Sequence, residues 1–339
     1  MTRIAVVLVN LGGPDGPGAV LPFLRNLFRD PAILRLPALP RLLLAEWIAR
    51  RRAPTARGIY AQIGGRSPIR EQCEGQAAAL AESLAELGEV RTFVAMRYWH
   101  PRAAAAAVEV AAFGPERTVF LPLYPQYSTT TTASSLDEWR TVAGEPHVAV
   151  GCYPQSSGFV RAQAARIRPV WEQASAVGTP RLLFSAHGLP KRIADAGDPY
   201  TRHVRRSAAA IAAELGLGEA AWRVCYQSRV GRLEWIGPST DEEIIRAGDD
   251  GVPLVVAPVA FTSEHSETLV ELDIEYADLA RRHNVPGYFR APTVGDDPAF
   301  IDGLAQIVRA GLNGGLRPCP RRPGLVCPGQ ACAAEDTET

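Results

Sequence analysis

The chain has no excess of either charge. Its 339 residues carry 36 Lys and Arg against 36 Asp and Glu, a formal net charge of zero. No global basic field exists to gather nucleic acid or an anionic membrane. No apolar run reaches the roughly 20 residues of a membrane span, and the run Ile4–Val9 is too short for a signal peptide and lacks a cleavage site. These absences predict a cytoplasmic protein without a nucleic-acid partner, at most peripheral to the inner face of a membrane. Glycine-rich phosphate loops are missing too. Neither Gly-x-Gly-x-x-Gly nor a Walker loop occurs, so a nucleotide is not the obvious ligand. Cysteine is scarce, and its six residues are unevenly spread: Cys73, Cys152 and Cys225 are scattered, whereas Cys319, Cys327 and Cys332 fall within the last 21 residues. In a reducing compartment such clustering points to metal binding or reactivity rather than to disulfides.

With 47% hydrophobic and 21% charged residues the chain reads as an ordinary globular protein with ample core, long enough for two domains. Short apolar or β-branched runs recur at Ile4–Val9, Val90–Met96, Thr118–Leu123, His147–Cys152, Leu182–Phe184, Arg223–Tyr226, Leu254–Ala260 and Tyr288–Arg290. Between most of them lie Ala- and Leu-rich helical patterns such as Glu74–Leu87, Pro101–Ala112, Phe159–Ala174 and Tyr200–Leu215. Strands alternating with helices imply parallel sheets. Two sets of four strands predict two α/β units, residues 1–155 and 156–300, then a helix at 301–318 packing back on the first unit and a cysteine-bearing tail at 319–339. Loops dense in polar and turn residues follow six of the strands. Open α/β sheets bind ligands beyond their strands' carboxyl ends, which predicts one large site served by both units.

The most informative segment is Thr262–Tyr276. On an α-helical wheel Glu264, Glu267, Glu271 and Glu275 share a stripe about 80° wide. Leu269, Val270, Leu272, Ile274 and Tyr276 occupy most of the rest. A helix apolar on most sides is buried on most sides, so the carboxylates are expected to line a confined cleft, where a visiting cation would offset their repulsion. An ordinary solvated acidic face is the alternative. His187 follows an apolar strand and precedes Gly188 and Pro190, which force a turn; a lone His is more often structural, and that strand-end position brings function level with it. His265 lies two residues before Glu267, and a regular helix would point the two apart. They converge only if the helix starts late or its first turn is irregular. Imidazole with carboxylates suits a divalent transition metal such as Fe(II). The stretch 21–52 mixes Leu, Phe, Ile and Trp47 with arginines and ends in Arg50-Arg51-Arg52. It suits either an apolar lip with basic anchors or a plain helical pair. The spacing of Cys319, Cys327 and Cys332 matches no common zinc ribbon, and three cysteines need a fourth ligand to hold a [2Fe–2S] cluster.

Taken together, Val9–Pro14, Tyr124–Ser135, Ser185–Pro190 with Asp198-Pro199-Tyr200, Gln227–Gly231 with Trp235–Pro238, and Ala260–Tyr276 closely resemble the ferrochelatases, from about residue 4 to residue 310. The resemblance implies two Rossmann-like domains, each a four-stranded parallel sheet flanked by helices, enclosing a porphyrin. It further implies insertion of Fe(2+) into protoporphyrin IX as the last step of haem biosynthesis. His187, Glu267 and His265 match the family's catalytic positions, with His187 and Glu267 handling the metal and Glu271 and Glu275 forming an ion path. Individual roles stay open: His187 is a proton acceptor or a metal-side ligand, and Glu267 its partner. The family forms a π-helical turn in this segment. Leu11, Arg51, Arg52, Ser67, Arg97, Tyr98, Tyr124 and Trp235 match porphyrin-side positions. The tail is similar to that of cluster-bearing members, whose C-terminal cysteines hold a [2Fe–2S] centre. Here the spacing is wider than in the animal type, whose fourth cysteine position is Thr129, and Cys152 is expected to complete Cys319, Cys327 and Cys332. Coproporphyrin III as substrate, a non-catalytic porphyrin carrier and a cobalt chelatase for a corrin precursor are the rival readings. A homodimer is left open.

Overall fold

Strand β1 (Arg3–Asn10) is buried at every position except its first. A strand with no wet face belongs inside a parallel sheet covered by helices on both sides. It pairs in parallel with β2 (Glu89–Met96) and β3 (Arg117–Pro122), and β3 pairs with the short β4 (Val148–Ala149), giving the order β2-β1-β3-β4. A second parallel sheet repeats this wiring. Its strands are β5 (Arg181–His187), β6 (Trp222–Gln227), β7 (Leu254–Pro258) and β8 (Tyr288–Arg290), in the order β6-β5-β7-β8. All eight expected strands are present. Two four-stranded parallel sheets flanked by helices make this a two-domain α/β fold.

This computed structural model describes residues 2–229, 231 and 233–329. The chain divides into one unit of Met1–Cys152 with Leu304–Thr339 and another of Tyr153–Gly303. In the first unit β1 and β3 pack on Phe113, Leu136 and Trp139 from the covering helices. Helices Val20–Arg29 and Ala38–Ala61 form a separate apolar cluster with Tyr98. On the second of these, Leu39, Leu43 and Trp47, four residues apart in turn, are 70%, 68% and 60% exposed. After Leu304 the chain counts with the first unit, where Arg309 donates to Glu86 (2.7 Å) and to the Ser83 carbonyl (2.6 Å).

The sequence pattern gave no sign of strand in the tail. There β9 (Arg317–Pro318) and β10 (Val326–Cys327) pair antiparallel, and Val326 bridges to Val150 beside β4. Two-residue strands carry no periodic signal, so their pairing rests on tertiary contacts. Among the described residues no helix is long and apolar enough to cross a membrane.

In the second unit, Leu183 of β5, Cys225 of β6 and Leu254 and Val256 of β7 pack against Ile244, Leu272 and Tyr276. The helix Thr240–Asp250 starts at a capping box, Ser239 Oγ accepting from Glu242 N while Glu242 accepts from Ser239 N. In the order β6-β5-β7-β8 the connections leave β5 and β7 in opposite directions. That is the switch point at which such sheets open a crevice beyond their carboxyl ends.

Candidate active site

The carboxyl end of β5 places His187 at that switch point. Its Nδ1 lies 2.6 Å from the Gly188 carbonyl. A carbonyl oxygen only accepts, so Nδ1 carries a proton, which leaves Nε2 as the nitrogen free to take up a proton or a metal. Nε2 stands 3.6 Å from Glu267 Oε1, and His265 Nε2 stands 3.6 Å from Glu267 Oε2. Those separations are too long for direct hydrogen bonds. Two ligand atoms about 2.1 Å from one metal ion at a tetrahedral angle lie about 3.4 Å apart, so each pair leaves room for a shared cation. Even so, among the described residues no group of three or more His, Cys, Asp or Glu side chains is arranged as a ready metal centre.

His265 reaches Glu267 because it precedes the helix. The helix begins at Ser266 and is a π-helix over Glu267–Glu275. Thr268 fixes the entry, its Oγ1 accepting from His265 N (3.0 Å) and contacting the His265 carbonyl (3.0 Å). Such wide turns are rare and concentrate at functional sites. The single α-helical stripe does not survive. Glu264, ahead of the helix, turns aside to Arg290 (2.6 Å) and accepts from Thr293 N (2.9 Å). Burial opposes its charge, yet Arg290 and these bonds hold its carboxyl below the usual range. Burial of the apolar side is also uneven, Val270, Leu272 and Tyr276 being buried while Ile274 is 36% exposed.

Glu271 differs from an open rung of an ion ladder. It accepts from Ser228 N (2.7 Å), Ser228 Oγ, Gln227 Nε2 (3.0 Å) and Tyr276 OH (3.2 Å). Burial and the neighbouring Glu267 nevertheless raise its carboxyl above the usual range. Glu275 is exposed. Burial lowers the His265 imidazole below its ordinary value, against the pull of Glu267 and Glu264, and Phe261 packs on its ring at 4.7 Å between centroids. Trp235 lies against the His187–Pro190 turn through a bridge to Pro190. A Cβ on Gly188 would meet the Gln227 carbonyl at 2.8 Å and the Trp235 ring at 3.1 Å, so only glycine allows this approach. The sequence reading assigned no role to Gln227, Ser228, Tyr200 or Phe261. All four sit in motifs singled out there, Phe261 at the start of Ala260–Tyr276.

The remaining expected residues lie in the first unit. Leu11 is half-buried against the cluster of helices Val20–Arg29 and Ala38–Ala61. Ser67 is buried, its backbone N–H donating to the Pro14 carbonyl (2.8 Å). Arg97 is 13% exposed and donates to Ser134 Oγ (2.7 Å), Asp30 (2.9 Å) and Glu138 (3.3 Å). These groups line a cavity of about 630 Å³ with Thr129 and Asp137. Tyr98 departs from expectation: it is 0% exposed and its hydroxyl donates to Asp30 (2.6 Å), so its side chain has no surface to offer a ligand. Tyr124 is half-buried, and loss of solvent pushes its phenol up. Arg51 and Arg52 lie over the rings of Trp47 (5.6 Å) and Phe28 (5.8 Å). Cys152 Sγ stands 3.4 Å from Cys327 Sγ, and Cys319 belongs to the same buried apolar cluster. Cys332 lies outside the described residues.

A family model described as ferrochelatase matches residues 3–312. A ferrochelatase of Caulobacter vibrioides is 52% identical over 340 residues, covering 98% of this chain and 96% of that protein. One from Phenylobacterium zucineum is 53% identical over 316 residues, covering 92% of each. Among solved structures, SirB from Bacillus subtilis with Fe3+ is 14% identical with a TM-score of 0.53, covering 93% of this chain and 97% of that one. That likeness shows the fold alone. The chain belongs to the ferrochelatase family. It is a metal-insertion enzyme of haem biosynthesis that takes ferrous iron and a porphyrin as its substrates.

The lowered basicity of His265 has a consequence for stability. Below about pH 6.5 the unfolded chain binds a proton that the folded His265 resists. Stability contributed by the neutral ring is therefore complete above about pH 6.5 and declines as pH falls. Glu271, raised in the fold, acts with the opposite sign, so the comparison needs a variant. Thermal melts from pH 7.5 to 5.5 should fall less steeply for His265→Asn than for the parent chain. Parallel curves would contradict the assignment.

Proposed function

We propose that His187 and Glu267 form the metallation pair of a protoporphyrin IX ferrochelatase, an enzyme of the lyase class. The observation that carries this reading is Glu267, whose two carboxylate oxygens each face an imidazole Nε2 at 3.6 Å at the β5/β7 switch point. Metallation removes two pyrrole N–H protons while the incoming ion sheds water. His187, half-exposed and tied through Nδ1, presents Nε2 as the acceptor. Glu267 is the anionic partner that balances the ion, and His265, kept neutral by burial, orients it. Trp235, Leu11, Arg97 and Tyr124 are the porphyrin-side residues of this reading, with Ser67 supporting the loop of Leu11. Glu275, exposed at the far end of the π-helix, is where an ion would first meet the carboxylates. Preference for protoporphyrin is supported by the Asn10–Pro14 loop and the cysteine tail, which resemble that type. His187→Ala and Glu267→Gln should each lower metallation by at least 10²-fold while porphyrin still quenches protein fluorescence. Turnover on protoporphyrin IX should exceed that on coproporphyrin III. Near-normal rates in both variants would sink the pair, and faster coproporphyrin turnover would reverse the substrate.

The tail is assigned a [2Fe–2S] cluster held by Cys152, Cys319, Cys327 and Cys332. The donor set suits it. Cys152 and Cys327 hold their sulfurs 3.4 Å apart, near the roughly 3.8 Å expected for two thiolates on one tetrahedral metal at about 2.3 Å. Cys319 adjoins them in apolar surroundings. When bound, the cluster supplies a one-electron redox couple. The chain's own part is to hold the thiols of Cys152, Cys319 and Cys327 dry against Leu325 and Trp139. Cys152→Ser should abolish the visible cluster absorbance of the purified protein. Full absorbance in that variant would remove Cys152 from the set.

Leu39, Leu43 and Trp47, with Arg41, Arg50 and Arg51 nearby, are assigned a peripheral membrane contact through apolar side chains flanked by cations. Co-sedimentation with anionic vesicles should fall several-fold in Leu39→Ser/Leu43→Ser/Trp47→Ser. Equal sedimentation would leave the patch without that role.

A further inference from the structure

We propose that Gln227 and Ser228 are positioning residues for metallation: they bolt the π-helix to the end of β6 and so fix Glu267 at its distance from His187. The inference rests on reading His187 and Glu267 as the metal-handling pair.

Gln227 joins the backbone next to His187 to the backbone of Glu267. It is the register partner of His187 in the parallel pair β5/β6, and its carbonyl accepts from Gly188 N (2.8 Å). Its side chain reaches the other way, Nε2 donating to the Glu267 carbonyl (2.8 Å) and to Glu271 Oε2 (3.0 Å). The amide cannot turn over freely, because Oε1 accepts from Ser185 Oγ (2.7 Å), which lies 3.0 Å from Thr240 Oγ1. All of this is dry, with Gln227, Ser185 and Thr240 each 0% exposed.

Ser228 adds the second hold. Its φ of 58° is the left-handed conformation that residues with side chains seldom adopt. In that conformation its N–H and its hydroxyl both point at Glu271. With Gln227 Nε2 and Tyr276 OH, the carboxylate takes four donors. A carboxylate held this fully is a fixed anchor and a poor carrier of passing ions.

The π-helix needs such an anchor. An apolar pattern specifies which face is buried but not whether the chain winds at i+4 or i+5, and π turns are otherwise uncommon. A donor set matched to the Glu267 carbonyl and the Glu271 carboxylate selects one winding, and with it the direction in which Glu267 points.

The test uses the full chain with Zn2+ as a redox-inert metal and protoporphyrin IX. Gln227→Met keeps the length of the side chain and removes its donors. The expected result is a loss of roughly 10–100-fold in kcat/KM for the metal, with the porphyrin Kd from fluorescence within twofold of the parent. Ser185→Ala, which frees the amide to turn over, should show the same split with a smaller loss, and stands in if Gln227→Met does not fold. Metal kinetics within twofold of the parent, or metal and porphyrin terms falling in proportion, would overturn the proposal. Glu267→Gln measured alongside separates the two claims. If it is inactive while Gln227→Met is normal, only the positioning role fails; if it is active, the metal-handling reading itself fails.

Discussion

Glu267 is held where its own interactions would not put it. Two imidazole nitrogens and two carboxylate oxygens converge at separations longer than hydrogen bonds. No direct hydrogen bond between the imidazoles and the carboxylate holds them there. The backbone does it instead: β5 delivers His187, the loop after β7 delivers His265, and the π-helix delivers Glu267. The arrangement is completed by whatever positive charge enters it, a proton or a divalent ion. Catalytic sites commonly store such an unsatisfied geometry ahead of the reaction and gain from it when charge arrives.

The anchor at Glu271 belongs to the same economy of position. Four donors reach its carboxylate, against the cost of taking it out of water. Burial and Glu267 still raise its carboxyl above the usual range, so the donors do not win outright. The cluster therefore does not free the carboxyl from the cost of burial. Its effect is on direction, since the same donors that reach Glu271 also hold the carbonyl of Glu267.

Much of this could be read from residues in order, and the parts that could not have identifiable causes. The inner sheet strands were legible because both-face burial makes them apolar runs, as in Ile4–Val9 and Leu254–Ala260, and the less buried outer ones by shorter apolar or β-branched runs. His187 was legible because it stands where such a run stops. The conflict between His265 and Glu267 was visible as well, since two residues apart on a regular helix they cannot meet. Its resolution, a late start at Ser266 followed by π winding, lies in a carbonyl bonded from a distant strand, which local periodicity does not encode. Glu264 looked like part of the stripe because the wheel assumed a helix that had not yet begun; its partner Arg290 comes from β8. Tyr98 matched a family position but not its exposure, because the carboxylate that takes its hydroxyl, Asp30, is 68 residues away. The tail hairpin escaped because strands of two residues leave no pattern.

That hairpin changes the edge of a sheet. β4 is the outermost strand of the first sheet, and a bare outer strand offers unpaired amides to other molecules. The bridge from Val326 to Val150 and the bond from Gly151 N to the Val326 carbonyl (2.9 Å) cover part of it. The described part of the tail thus takes up backbone groups that the edge would otherwise leave open, whatever its cysteines bind. Removing it would bare those backbone groups as well as remove cysteines, so effects of tail truncation and of single cysteine substitutions belong to different physical causes.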